Sequence, residues 1–285
     1  MGNRIIRPKN TDYRLKTFLL WICFGILFSV FSPLSAQSAE RIVSLNACTD
    51  ELLLQLALPE QIAGVTRFNH SPQSSEVLNQ NPHISKLSSD VESIMKTNPS
   101  VVLAGPFSNP LLINQLKQLN IPIVHLAVPG NWSDLDKAVD QVSVLLKRVS
   151  AGEALQKKIR ELSRFDGQTR WKGKRAVFWS AAGHVSGKNT FENTVLTTLG
   201  LINASDTEGY AFLSIEKLIQ LKPDVIIVTQ NPELKNSWSH ETLFHPALKK
   251  ALPQIEYLHI PEEAVSCASG YTVDVIGNLI AGAKV

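Results

Sequence analysis

The sequence predicts an α/β protein of two lobes with mainly parallel sheets, joined by a single long helix. From residue 40 onward, short apolar segments rich in β-branched residues alternate with helical segments at the spacing of βαβ units. The alternation is interrupted by a long amphipathic segment after residue 150 and then begins again. We therefore expect a first lobe over 40–150, a connecting helix over 151–170 and a second lobe over 171–285.

The first lobe is predicted from apolar strand segments and from helices with an apolar face or a capping residue. Thr49 and the acidic pair after it are typical of a helix start, because such side chains accept hydrogen bonds from free backbone amides. Residues 67–83 are polar and predict an irregular loop. The predicted strands are 41–45, 61–66, 101–104 and 121–124, and the predicted helices are 49–58, 91–97, 111–119 and 135–149.

The connecting helix and the second lobe follow from the same patterns. Leu155, Ile159 and Leu162 recur on one face of the segment 151–170, which would span roughly 30 Å as a helix. Gly200 is expected to end a later helix. In the second lobe, the predicted strands are 175–179, 225–228 and 255–260, and the predicted helices are 191–199, 214–221, 246–251 and 271–283.

An internal repeat supports two lobes of the same design. Residues 92–103 match residues 216–227, since each segment has a Glu near a helix start, a Pro seven residues later and a buried strand after that Pro. The two glutamates are Glu92 and Glu216. A single Pro between a helix and a strand is common, but two such units at matching places indicate a duplicated architecture.

The first 39 residues are predicted to be a secretory signal peptide. Five basic residues and one Asp precede an apolar run over 18–31, and small residues follow it. This run is shorter than the ~20 residues that span a bilayer comfortably, although an uncleaved anchor is the alternative reading. We expect cleavage between Ala36 and Glu40 and a periplasmic location.

Charge argues against nucleic-acid binding. The chain has a formal net charge of +3, but the first 16 residues alone carry +4, so the remainder is slightly acidic. We expect no nucleic-acid partner and a monomeric protein.

Enzyme and metal-site motifs are missing from the sequence. It contains no GxSxG, GxGxxG, Gly-rich phosphate loop or HExxH, so we expect no catalytic residue and no enzyme activity. The seven histidines lie singly, and we expect no metal site and no resident cofactor. One alternative is a receptor for free zinc or manganese, with His70, His125 and His184 as its candidate ligands. A periplasmic hydrolase is a weaker alternative.

Candidate ligand-binding residues lie in the loops that surround the predicted strands. Open parallel sheets bind ligands at the carboxyl ends of their strands, and clefts between lobes favour aromatic walls with a few polar groups. These loops supply the candidate set: Asn46, Cys48, Phe68, His70, Phe107, Trp132, His184, Tyr210 and Ser266.

Two cysteines remain after residue 39, Cys48 and Cys267. Each follows a predicted strand of a different lobe, and an oxidised pair is ordinary in an exported protein. A bridge would tie the lobes across the cleft. If the Cα atoms lie more than ~7 Å apart, both are free thiols.

These features together resemble the class III solute-binding proteins of ABC importers. The resemblance rests on the segments 41–45 and 49–52, the two Glu/Pro repeats, and the segment 187–190 before a helix. It implies two α/β lobes joined by one long helix and the capture of a metal chelate, namely cobalamin, an iron–siderophore complex or haem. The ligand would itself contain the iron or cobalt.

The resemblance also implies partners and roles. An ABC permease and its ATPase would receive the ligand, with Glu92 and Glu216 docking on the permease. Phe68 matches a position at which a ring stacks on the ligand.

Overall fold

The computed structural model describes residues 40–68, 70–180, 183–229 and 245–282, together with Gly2. The predicted signal segment therefore lies, apart from Gly2, outside the described residues. Within the described part of the chain, no helix is long and apolar enough to cross a membrane.

The first sheet has five strands, all parallel, in the order β3-β2-β1-β4-β5. Its central strand, β1, is completely buried because its neighbours cover both edges and helices cover both faces. The strands are β1 (Ile42–Ser44), β2 (Ile62–Val65), β3 (Ser85–Lys86), β4 (Val101–Ala104) and β5 (Ile123–His125).

The second sheet has the order β11-β10-β6-β7-β9, and β8 also pairs with β6. Strands β8 and β10 pair parallel with β6, and β11 pairs parallel with β10. Strand β7 pairs antiparallel with both β6 and β9. The strands are β6 (Arg175–Trp179), β7 (His184–Ser186), β8 (Ile202–Asn203), β9 (Tyr210–Phe212), β10 (Val225–Val228) and β11 (Glu256–His259).

Eleven α-helices lie in the described part of the chain, most of them with a side-chain cap at the first turn. They are α1 (Ala47–Leu56), α2 (Pro72–Gln80), α3 (Val91–Met95), α4 (Pro110–Gln118), α5 (Trp132–Leu145), α6 (Val149–Ser163), α7 (Phe191–Thr198), α8 (Ile215–Leu221), α9 (Pro246–Ala251), α10 (Glu263–Ser266) and α11 (Gly270–Ile280).

The sheets confirm the two-lobed α/β prediction and show the repeat in their topology. The order β5-β4-β1-β2 in the first sheet corresponds to β11-β10-β6-β8 in the second. Helices α3 and α8 precede the equivalent strands β4 and β10, and Glu92 and Glu216 are each the second residue of their helix.

Three predictions about helices are corrected. Residues 72–80 form helix α2 instead of a loop, because Ser71 caps it and Pro72 occupies its first position. Helix α1 begins at Ala47 and not at Thr49. The connecting helix α6 has 15 residues and ends at Ser163, well before residue 170, so it spans about 22 Å.

One apolar cluster runs through both lobes. It includes Leu135 and Val139 on α5, Ile159 on α6 and Val195 on α7, all almost fully buried. Smaller clusters cover the opposite faces of the two sheets. The two lobes therefore share one continuous apolar core.

Candidate functional site

A disulfide joins the carboxyl edges of the two sheets. Cys48 lies four residues beyond β1, Cys267 lies eight residues beyond β11, and their Cα atoms are 4.7 Å apart. Of the two alternatives for these cysteines, a bridge or two free thiols, the structure has the bridge. Cys48 lies in α1 and Cys267 directly follows α10, so the bridge links the segments that follow β1 and β11 at the carboxyl edges of the two sheets.

Two exposed phenylalanines stand at the edge of the first sheet. Phe68 follows β2 and Phe107 follows β4, and these strands flank β1 on either side. The exposed fraction is 61% for Phe68 and 83% for Phe107. Large apolar rings this exposed are available to a ligand.

The loop that carries Phe68 is held by a buried carboxylate. Asp50 Oδ2 accepts hydrogen bonds from the Thr66 amide at 3.1 Å and the Thr66 hydroxyl at 2.5 Å, and it lies 3.1 Å from His70 Nε2. The side chain of His70 is 3% exposed. His70 was predicted to bind ligand, but its ring is buried against Asp50 and does not face the cleft.

The next residue of α1 extends this attachment. Glu51 accepts hydrogen bonds from the amide and hydroxyl of Ser71, at 2.9 and 2.6 Å, and from the Ser74 hydroxyl at 2.8 Å. All three residues are buried. The acidic pair that the sequence assigned to a helix start therefore also anchors the segment from Thr66 to α2.

The second lobe presents rings on one face of the β7–β9 pair. His184 lies opposite Phe212, and Ser186 lies opposite Tyr210. Directly opposed residues of antiparallel strands share a face. The His184 and Phe212 rings meet edge to face, with centroids 6.1 Å apart. Tyr210 is 65% and Phe212 66% exposed, so the structure brings together two of the predicted site residues and adds Phe212.

A buried glutamate lies behind this face. Glu192, the second residue of α7, accepts a hydrogen bond from the Tyr210 hydroxyl at 3.0 Å. Burial raises the pKa of the Glu192 carboxyl above its ordinary value of 4.5. Burial of the Tyr210 hydroxyl and the nearby Glu192 charge raise the pKa of Tyr210 as well. Sequence reasoning missed Glu192, because a Glu in a first helical turn is ordinarily read as an exposed residue that favours the helix dipole.

Two other predicted site residues have structural roles. Trp132 is 4% exposed, its indole Nε1 donates to the Thr198 hydroxyl at 2.8 Å, and its ring meets Phe191 edge to face at 5.0 Å. It packs α5 against α7 and, contrary to prediction, does not line the cleft. The Asn46 side chain caps α1 by accepting from the Cys48 amide at 2.9 Å.

Ser266 ends α10 beside the disulfide and is exposed. With Ala47, Glu51, Glu262 and Glu263 it lines a cavity of about 190 Å³. The described residues contain no cluster of three or more His, Cys, Asp or Glu side chains that could hold a metal ion.

Glu92 on α3 and Glu216 on α8 are both exposed. Glu92 pairs with Lys96 at 2.7 Å and borders a groove of about 650 Å³ that Arg41 and Glu60 also line. A hydrogen bond from the Ser214 side chain is the main cause that lowers the pKa of Glu216. Both carboxylates are therefore presented to solvent at equivalent places in the two lobes.

Two α/β lobes of matching topology have the fold of the class III substrate-binding proteins. The sequence profile of the family described as periplasmic binding protein matches residues 42–246, so the chain belongs to this family. Its members are periplasmic substrate-binding components of ABC importers and not enzymes. The resemblance inferred from the sequence motifs is thus confirmed.

Similar proteins bind cobalamin or haem according to their names. The vitamin B12-binding protein of Yersinia pseudotuberculosis serotype O:3 (strain YPIII) is 28% identical over 214 residues, covering 72% of this chain and 75% of the relative. The apo periplasmic heme-binding protein RhuT from Roseiflexus sp. RS-1 superposes with a TM-score of 0.69 at 21% identity, over 85% of this chain and 97% of RhuT. The vitamin B12-binding protein BtuF of Vibrio cholerae gives a TM-score of 0.66 at 16% identity, over 86% and 96% of the two chains.

Proposed function

We propose that this protein captures cobalamin between its two lobes and delivers it to an ABC permease. The observation that carries the proposal is a set of exposed aromatic rings on both lobes, Phe68 and Phe107 after β2 and β4 in the first lobe and Tyr210 and Phe212 on β9 in the second. The names of the relatives that are 28% identical support the same ligand.

The rings suit a large, flat, weakly charged ligand. Aromatic side chains bury much apolar area and lose little conformational freedom on binding. A corrin ring offers two broad faces to such walls, and its cobalt brings axial ligands of its own, so the protein need not supply one. An anionic siderophore would instead call for several cationic groups in the cleft.

Haem is the second candidate, and His184 is the observation that favours it. Its imidazole is exposed beside Phe212, and haem iron is commonly held by a His or Tyr side chain. Tyr210 is a poorer iron ligand here, because its hydroxyl donates to Glu192 and its pKa is raised.

Titration of the purified protein with cyanocobalamin, haemin and a ferric catecholate siderophore tests the proposal. Calorimetry should detect saturable binding of cyanocobalamin, and Tyr210→Ala should weaken it. Haemin binding with a Soret shift that His184→Ala abolishes, in the absence of cobalamin binding, would assign the protein to haem. Binding of the siderophore alone would overturn both candidates.

We also infer that Glu92 and Glu216 dock on the permease. Equivalent exposed carboxylates on the two lobes can meet two equivalent cationic groups of a partner and so set its orientation. A hydrogen bond from the Ser214 side chain lowers the pKa of Glu216, which keeps that carboxylate ionised for such a contact.

A further inference from the structure

We propose that Glu192 is a positioning residue that fixes the ring of Tyr210 for ligand stacking. This inference rests on the proposed function, since Tyr210 is there assigned to the wall of the cleft. Glu192 itself need not touch the ligand.

The Tyr210 ring is attached at both of its ends. Its backbone lies in β9, where Tyr210 is paired with Ser186 of β7. Its hydroxyl donates to Glu192 Oε2 at 3.0 Å. The ring between these two attachments is largely exposed, so its face can meet a ligand without first losing rotational freedom.

The choice of residue at position 192 is informative because a buried carboxylate is costly. Glu192 is 9% exposed, and an apolar residue of similar size would avoid the desolvation penalty. A buried carboxylate that accepts the hydroxyl proton of one exposed ring is well placed to hold that ring in a fixed position.

The second strand of the pair is held close to its partner by a glycine. A Cβ atom at Gly187, directly after β7, would clash with the carbonyl oxygen of Thr207, which precedes β9, so a larger residue would push these two segments apart. The backbone that carries Tyr210 is therefore also constrained, so the orientation of the ring depends on the hydrogen bond of its hydroxyl.

The test compares Glu192→Leu, Glu192→Gln and Tyr210→Phe. In protein labelled with 3-fluorotyrosine, the Tyr210 fluorine resonance is assigned by its loss in Tyr210→Phe. We expect this resonance to shift and narrow in Glu192→Leu, because the ring is released, and to return toward the wild-type position in Glu192→Gln, whose amide oxygen still accepts the hydroxyl proton. This readout needs no ligand, so it decides the positioning role even if the ligand assignment is wrong.

The consequence for binding is measured with cyanocobalamin. Glu192→Leu and Tyr210→Phe should each weaken binding by about tenfold, and the double variant should bind no more weakly than either single variant. The Glu192→Gln variant should keep most of the wild-type affinity. Glu161→Leu, an exposed change on α6, is the control. A Glu192→Leu protein with lower thermal stability but an unchanged fluorine resonance would overturn the proposal and leave Glu192 a purely structural residue.

Discussion

The disulfide between Cys48 and Cys267 connects the two lobes at the edge where the ligand is proposed to bind. The bonded residues are 219 positions apart in the sequence, so the bridge closes almost the whole described fold into one loop. Two hydrogen bonds between the lobes accompany it: the Gly270 backbone amide donates to Gln55 Oε1 at 2.8 Å, and Gln73 Nε2 donates to Asp274 Oδ2 at 3.0 Å. This side of the cleft is therefore tethered by a covalent bond and by polar contacts.

Removing the bridge should destabilise the protein and loosen the cleft. By restricting the unfolded chain, a bridge that closes a loop of this length stabilises the folded state by up to ~5 kcal/mol, and measured values are commonly smaller. We expect the Cys48→Ser/Cys267→Ser variant to unfold at lower denaturant concentration and to release ligand faster. Urea titration and stopped-flow dissociation measure the two effects.

Cys23→Ser is the matched control, because it removes a thiol and leaves the bridge intact. Thiol titration of the unfolded, unreduced full chain should find one reactive cysteine, since the sequence contains three. Three reactive thiols would contradict the bridge.

Substitution of Phe68 and of Trp132 should separate binding from stability. Phe68→Ala removes an exposed ring, so it should weaken cyanocobalamin binding by roughly tenfold and leave the melting temperature nearly unchanged. Trp132→Ala removes a buried ring and a hydrogen bond between α5 and α7, and should cost about 3–5 kcal/mol of stability. The opposite pattern would show that Phe68 packs under its own loop.

The strands and their order of appearance could be predicted from the sequence because apolar, β-branched runs are local signals. The short strands β3, β7, β8 and β9 were missed. They have two or three residues each, and their pairing is decided by tertiary contacts that no local pattern reports. Helix α2 was missed for a different reason, since Ser71 and Pro72 were read as loop residues although they are also a good helix start.

The candidate site was predicted in part, and the failures have a common physical cause. Position after a strand indicates which residues are near the cleft, but it does not say which way a side chain points. His70 turns inward to Asp50 and Trp132 packs against Phe191, whereas Phe68 and Tyr210 remain exposed. Burial of a polar or aromatic side chain depends on partners far away in the sequence, so it could not be predicted.

Glu192→Gln should make the protein more stable at neutral pH. Burial raises the folded-state pKa of Glu192 above 4.5, so the folded state holds its proton more tightly than the unfolded state does. The wild type therefore loses stability as pH rises from 4.5 through the folded-state pKa, and the Gln variant does not. Thermal melts should coincide below pH 4.5 and diverge in favour of the variant at higher pH. A variant that is less stable at neutral pH would contradict this sign.

Asp50→Asn should destabilise the first lobe. The amide and hydroxyl of Thr66 donate to one carboxylate oxygen that also lies against His70 Nε2, and the neutral amide oxygen of Asn is a weaker acceptor for these contacts. Hydrogen bonds to a charged group contribute about 1.5–3 kcal/mol, against about 0.5–1.5 kcal/mol for neutral pairs. Urea denaturation should detect this loss, and Asp140→Asn, an exposed change on α5, should not reproduce it. Equal stabilities of Asp50→Asn and the wild type would exclude the anchoring role.

Reversal of charge at Glu92 and Glu216 should abolish delivery of the ligand and spare its capture. Both side chains are exposed on the second residue of their helices, and the Glu92–Lys96 pair has side chains more than 70% exposed, so its loss should cost little stability. The Glu92→Arg/Glu216→Arg variant should therefore bind cyanocobalamin like the wild type, fail to associate with the permease complex in nanodiscs, and fail to support uptake in cells. The Glu153→Arg/Glu161→Arg variant makes the same change of net charge on exposed positions of α6 and should associate normally, which excludes a general effect of charge. Normal uptake by the first variant would show that the permease recognises a different surface.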